Sequence, residues 1–276
     1  MAYAIKMNRF LLIVALIILS LVILITTLLY RYYTLKHQFP SEEEIQTFFE
    51  KDSDKYVESL SSLDLEARWA ANKNEYIQTS KKSISPWILD NKKVIIKGCK
   101  KANKLLATLK NKFDWLPALT LQKLLSLPWR IVKTKGTYEG GLPHTRASYI
   151  FINERQIPNT EKEQEQEQEQ EQEFDKLVST LIHEKVHILQ RLYPKTVEGF
   201  LKAFNYEIEE IKEEVNPNQR ANPDTNKTVY TMKGKRYSWL YRQHPVSITD
   251  GQLVPDKLGY EHPYEHMAYA IQNSLM

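Results

Sequence analysis

The stretch from Phe174 to Leu192 constrains the fold more than any other part of the 276-residue chain. Leu177, Val178, Leu181, Ile182, Val186, Leu189 and Leu192 recur at three- and four-residue spacing, the pattern of an amphipathic helix with one apolar face. Asp175 near its start suits the positive end of the helix dipole, and Pro194 stands just past its end. Within the helix lies His183-Glu184-Lys185-Val186-His187. At about 3.6 residues per turn the two histidines fall one turn apart on one face, so both imidazoles reach a single tetrahedral Zn²⁺. Glu184 is too near His183 to join as a third ligand, but is placed to hold a water at the metal and take its proton. The competing reading is two surface histidines beside a solvated glutamate, and the apolar helical context favours the metal.

A catalytic zinc site takes three protein ligands and an open position. Glu207 is one carboxylate candidate, but it belongs to the run Glu207, Glu209, Glu210, Glu213 and Glu214, which reads as a solvated helix face. Glu265 is the other. Ala268 and Tyr269 follow it by three and four residues, so its carboxylate sits over small and aromatic packing residues, where a lone acid is costly unless it meets a cation. Glu265 is the expected third ligand, with His266, His262 and Glu207 behind it.

His183-Glu184-x-x-His187 followed by Gln190-Arg191, and Glu261-His262-Pro263-x-Glu265 ahead of Ala268-Tyr269, together resemble the gluzincin branch of the zinc metallopeptidases. More narrowly, they are similar to HExxH proteins that pair this helix with a downstream His-Pro-x-Glu helix. The likeness runs from Leu142 to Ile271, and its first motif is the specific one. It implies a zincin-like α+β fold, mostly helical with a small sheet bordering the active-site helix. It also implies a Zn²⁺-activated water, Glu184 as general base, and hydrolysis of peptide bonds in a peptide or protein substrate. The chain departs from the Asn-Glu helix of the thermolysin type at the third ligand, and Tyr193 stands where a metzincin would carry its third histidine. An oxyanion stabiliser would come from Tyr264 or His262, with Tyr269 and His144 as further candidates.

Phe10 to Tyr30 is almost uninterrupted Leu, Ile, Val and Ala, long enough to span a bilayer core and longer than a secretory h-region. No small-residue cleavage site follows, because Tyr30-Arg31-Tyr32-Tyr33 is bulky and suits a membrane interface. Residues 1–38 are therefore expected to be a retained single-pass anchor and its flanks. Lys6 and Arg9 before the run balance Arg31 and Lys36 after it, so charge assigns neither side of the membrane. Cys99 alone excludes an intramolecular disulfide framework and reads as a helix-packing residue. A net charge of +4 and the lack of interleaved aromatics in Lys81 to Lys112 argue against nucleic-acid binding.

Residues 39–276 are expected to form the zincin-like domain, helical over 39–127 and catalytic over 128–276. Ser41 with Glu44 reads as a capping box, and further helices are expected around Leu63 to Ala70, over Val94 to Leu109 and over Pro117 to Leu127. Trp129 to Lys133 and Ala147 to Asn153 read as strands, the second bordering the cleft and offering an edge to extended substrate. The Glu/Gln-rich insert 161–173 cannot bury a core, and is a solvated loop or a helical extension into the metal helix. Val197 to Val215 reads as a helix, Tyr237 to Arg242 as a strand, His244 to Gly259 as a loop, and Pro263 suits the first turn of a last helix. Two rival readings keep this fold without the chemistry: an inactive zinc-binding module, and a membrane-tethered interaction protein in which the motif is incidental.

Overall fold

The computed structural model describes residues 15–27, 39–159, 167–209, 216–255 and 260–276. Its helices are α1 (15–27), α2 (Glu42–Lys51), α3 (Ser62–Glu66), α4 (Lys73–Lys82), α5 (Leu89–Ala107), α6 (Ala118–Ser126), α7 (Glu167–Leu192), α8 (Glu198–Ala203) and α9 (Pro263–Asn273). With three small sheets among them the fold is α+β and mostly helical.

The sheet that positions the site contains β1 (Ile131–Thr134), β2 (His144–Arg146) and β3 (Tyr149–Asn153) in the order β1-β3-β2. β1 runs parallel to β3 and β2 antiparallel to it. Side chains alternate across a strand. Ile131, Ile150 and Ile152 accordingly enter a core shared with α5, α6, α7 and α9, while Val132, Tyr149 and Phe151 enter a second core built with α2 and α4. Burying each large apolar side chain contributes roughly 1.5–3 kcal/mol relative to leaving it exposed. α7 lies against this sheet and packs on α5 and α9, with Leu177, Leu181, Val186 and Ile271 in their shared core. α5 and α7 approach closely at Gly98, where an added Cβ would come within 3.0 Å of Leu181 Cδ1. Cys99 beside it is buried, and burial pushes its thiol up to about 12, which fits a packing role.

Four expectations are revised. β3 is the central strand, buried along its length, so it has no free edge to offer a substrate. On the outer side of β2, the Thr145 N–H donates to Asp224 Oδ1 (2.5 Å); on the outer side of β1, Ser85 N–H donates to Lys133 O (2.9 Å). The helix expected over Val197 to Val215 stops at Ala203, because Asn205 takes a left-handed conformation (φ 54°) and the chain turns into β4 (Tyr206–Ile208). β4 pairs with β5 (Tyr230–Met232), which pairs with β6 (Lys235–Arg236); residues 210–215 of the expected helix lie outside the described residues. The loop expected over His244 to Gly259 contains β8 (Gly251–Val254), the antiparallel partner of β7 (Ser238–Tyr241). At α2, Ser41 Oγ does accept from Glu44 N–H (3.1 Å), but the Glu44 carboxylate turns to Arg130 and to the Tyr149 hydroxyl (2.7 Å) and leaves the capping box open.

Among the described residues no helix is long and apolar enough to cross a membrane. The run Phe10 to Tyr30 is described over 15–27, where it is helical and its leucines and isoleucines are about half exposed; the remainder lies outside the described residues. Of the Glu/Gln-rich insert, 167–173 form the first turns of α7 and 161–166 lie outside the described residues.

Candidate metal centre

α7 carries His183 and His187 one turn apart, and α9 opens opposite them. His262 caps α9: its Nδ1 accepts from Tyr264 N–H (3.1 Å), Pro263 occupies the first turn, and Glu265 follows. Met267, Ala268 and Ile271 on the buried side of α9 join the core of Ile182, Val186 and Leu189. That packing sets Glu265 facing the histidines. His183 Nε2 and His187 Nε2 lie 3.0 Å apart, and Glu265 Oε2 lies 3.2 Å from the first and 3.6 Å from the second. The three side chains form a group able to hold a metal ion, with all their ligand atoms within 4.8 Å of one another. Zn–N and Zn–O bonds of about 2.05 Å at a tetrahedral angle place two ligand atoms about 3.3 Å apart. The observed separations bracket that distance.

The opposite ring nitrogens are occupied. His183 Nδ1 meets Gln272 Oε1 (2.8 Å) and His187 Nδ1 meets Gln190 Oε1 (2.9 Å). A carbonyl oxygen only accepts, so both Nδ1 atoms carry a proton, and Nε2 is the nitrogen that each ring turns toward Glu265. Each glutamine is fixed in turn, since Gln272 Nε2 donates to Ser179 Oγ (2.7 Å) and Gln190 Nε2 to Tyr264 O (2.9 Å). Glu265 Oε1 accepts from Asn222 Nδ2 (3.1 Å), and Asn222 Nδ2 also reaches Glu261, which Arg220 Nη2 holds at 2.8 and 2.9 Å.

Burial works against charge on His187, but the neighbouring Glu265 outweighs it and carries the imidazole up to about 9. Burial likewise opposes ionisation of Glu265, and His187 and His183 overcome it and hold that carboxyl well below the usual range. Such a charge-paired His/Glu set is what a divalent cation displaces protons from. Glu184 is buried (4% exposed), and burial, then the charges of Asp224 and Glu265, push it well above the usual carboxyl range. Its Oε2 is buried without a hydrogen-bond partner. An orphaned buried carboxylate oxygen beside a ligand set calls for a water or ion there.

His183, Glu184 and Glu265 line a cleft of about 370 Å³, together with His144, Tyr269 and Trp239. Two ion pairs also line it, the buried Arg68 with Glu139 and the half-buried Arg220 with Glu261. Arg68 comes from the helical N-terminal part, so that part helps to build the cleft wall.

Of the expected oxyanion residues, Tyr264 and His262 are not among the residues lining this cleft. Tyr264 is buried in the core and its hydroxyl accepts from Asn226 Nδ2 (2.8 Å), while His262 is committed to the α9 cap and to Asn226 (Nε2 to Oδ1, 3.1 Å). Tyr269 does line the cleft, with its ring 4.5 Å from that of His183. His144 lines it too, stacked on Phe151 at 4.9 Å, with Nδ1 donating to Leu142 O (3.1 Å) and Nε2 buried without a partner. His266 points into an aromatic box of Phe200, Phe204 and Tyr260 and meets the Tyr206 hydroxyl (3.0 Å), so it does not join the ligands. Glu207 is exposed on β4. Sequence reasoning missed the clamps Gln190, Gln272 and Asn222; the first stands three residues after His187 on the same helix face, a spacing that could have found it.

No family model, curated protein or solved structure matches this chain.

Proposed function

We propose that the protein is a membrane-anchored zinc peptidase with a zincin-like catalytic domain. The observation that carries this reading is the convergence of His183 Nε2, His187 Nε2 and Glu265 Oε2 at separations of 3.0 to 3.6 Å, with both Nδ1 atoms turned away to glutamines. Zn²⁺ held by these three residues supplies a Lewis acid that brings the pKa of a water toward neutrality and polarises a carbonyl. Gln190 and Gln272 hold the Nδ1 protons and fix the rings, so that Nε2 is the nitrogen each imidazole offers to the metal. Glu184 takes the proton from the attacking water and hands it to the leaving amine. Its unpartnered Oε2 and buried setting suit a group that carries a proton for part of the cycle. Tyr269, or His144 when protonated, is available from the cleft wall to donate to the developing oxyanion. The half-exposed apolar side chains of α1 support a lipid partner for the N-terminal run.

Zinc content and peptidase activity of the full chain test the reading. Glu184→Gln should keep stoichiometric zinc and lose hydrolysis, and His187→Ala should lose the metal. Parent-like cleavage by Glu184→Gln would refute the role of the base, and stoichiometric zinc in His187→Ala would refute the ligand set. Metal without turnover on any peptide library would make the protein an inactive zinc-binding module.

A further inference from the structure

The outer face of α5 carries a stripe of lysines that the proposed catalytic site does not use. Lys93, Lys97, Lys100 and Lys104 recur at four-, three- and four-residue spacing and are all exposed, with Lys101 and Ile96 alongside. Lys93 pairs with Asp90 (2.7 Å) and Lys101 with Asp175 (2.5 Å); Lys97 lies over the Phe174 ring at 4.8 Å. Lys97, Lys100 and Lys104 form no ion pair among the described residues. At the start of the same helix Ile88 is 59% and Leu89 68% exposed, two large apolar side chains side by side in water.

The chain's route adds a second, independent constraint. Phe39 packs edge-on against Trp87 (4.8 Å between centroids), with Lys92 Nζ 5.4 Å from the Phe39 ring. The polypeptide therefore enters the folded domain at the N-terminus of α5, beside Ile88 and Leu89. Between Tyr30, where the apolar run ends, and Phe39 there are eight residues, which span at most about 30 Å counted across nine peptide steps. α5 itself, at 19 residues, is about 28 Å long.

We infer that this face of α5 docks on an anionic lipid surface, with Ile88 and Leu89 entering the interface and the lysine stripe lying on the headgroups. The inference rests on the membrane-anchor reading of the N-terminal run. A tether this short holds the face within reach of the bilayer that the run would enter, so docking needs no free encounter. Apolar side chains at one end of a lysine-bearing helix face match the two components of interfacial binding, buried apolar area and attraction to anionic headgroups.

The test uses the full chain with a polarity-sensitive fluorophore on a cysteine introduced as Lys104→Cys. Cys99 is 2% exposed with its thiol pushed up to about 12, so labelling is selective. The protein is reconstituted into phosphatidylcholine vesicles with or without phosphatidylserine. The inference expects a blue-shifted label, quenched by brominated lipid, only when phosphatidylserine is present, and reversal by salt. The same label on Lys233→Cys, in the β5–β6 turn outside the stripe, should stay in water. Each of Lys93, Lys97 and Lys100 changed to glutamine should lower the docked-to-undocked ratio about fivefold, and Leu89→Asp should lower it further. A label that stays in water in both vesicles, while alkaline carbonate leaves the chain in the bilayer, overturns docking and spares the anchor. Extraction by carbonate overturns both. A shift on adding an oligonucleotide to phosphatidylcholine vesicles, with none on adding phosphatidylserine, makes nucleic acid the occupant and overturns the inference.

Discussion

Glu139→Gln is the most informative perturbation of the cleft wall. Glu139 is 3% exposed and accepts from Arg68 Nε (2.9 and 3.1 Å), Arg68 Nη2 (2.8 Å) and the Tyr56 hydroxyl (3.2 Å), with the Tyr76 hydroxyl as a fourth donor group. Burial alone would raise its pKa, but the Arg68 guanidinium outweighs burial and holds the carboxyl at about 2 against an ordinary 4.5. At about 1.4 kcal/mol per pH unit, that gap is worth roughly 3 kcal/mol of folding stability. Because the folded-state pKa is the lower one, this contribution is fully present above pH 4.5 and disappears as pH falls through 2. Glutamine keeps the shape and tolerates the left-handed backbone (φ 46°) as well as glutamate does, so the substitution isolates the charge. It leaves Arg68 buried with only the longer contact to Asp64 Oδ1 (3.4 Å) as counter-charge, a loss of roughly 3 kcal/mol. Urea unfolding at pH 7 should show that loss, and Arg68→Met should show a similar one. The double variant should lose less than the sum, because neither charge is then stranded. A Glu139→Gln stability within about 0.5 kcal/mol of the parent, or additive losses in the double variant, would refute this account of the pair.

Other outcomes follow from the same contacts. Gln272→Leu removes the acceptor at His183 Nδ1 and should weaken zinc binding about 10- to 100-fold by competition titration while the fold persists. Lys185 is fully buried with Asn103 Oδ1 at 2.9 Å and the Trp129 ring at 4.1 Å, and burial brings its ammonium down to about 7 from 10.5. The destabilisation from burying that charge is complete below pH 7 and relieved as pH rises toward 10.5, so Lys185→Met should raise the melting temperature at neutral pH and flatten the rise in stability across that window. Gly98→Val should loosen the α5–α7 contact, lowering stability by about 1–3 kcal/mol in urea unfolding.

α7 and its partner α9 were legible in the sequence because their signals are local. The three- and four-residue apolar spacing around His183 and His187 gave α7, and the packing residues after Glu265 marked a carboxylate that the structure brings to the two imidazoles. What stayed hidden was settled by distant contacts. His262 and Tyr264 sit in the right segment, but capping and core packing turn them away from the cleft, while Tyr269 on the next turn faces it. Apolar spacing alone predicted a helix through Ile208, which is 65% exposed on β4 after the Asn205 turn. β3 reads as a strong strand from its own residues, yet whether it is central or an edge depends on β1 and β2 finding it from opposite sides.

Gln272, Glu265 and the Tyr264 carbonyl all belong to α9, and they grip α7 at Ser179 and His183, at His183 and His187, and at Gln190 respectively. α9 thereby latches the candidate site shut against α7. A single proteolytic nick ahead of Pro263 would let that latch peel off, parting Glu265 from the two histidines and uncovering the apolar side of α7, while the second core built with α2 and α4 stayed in place.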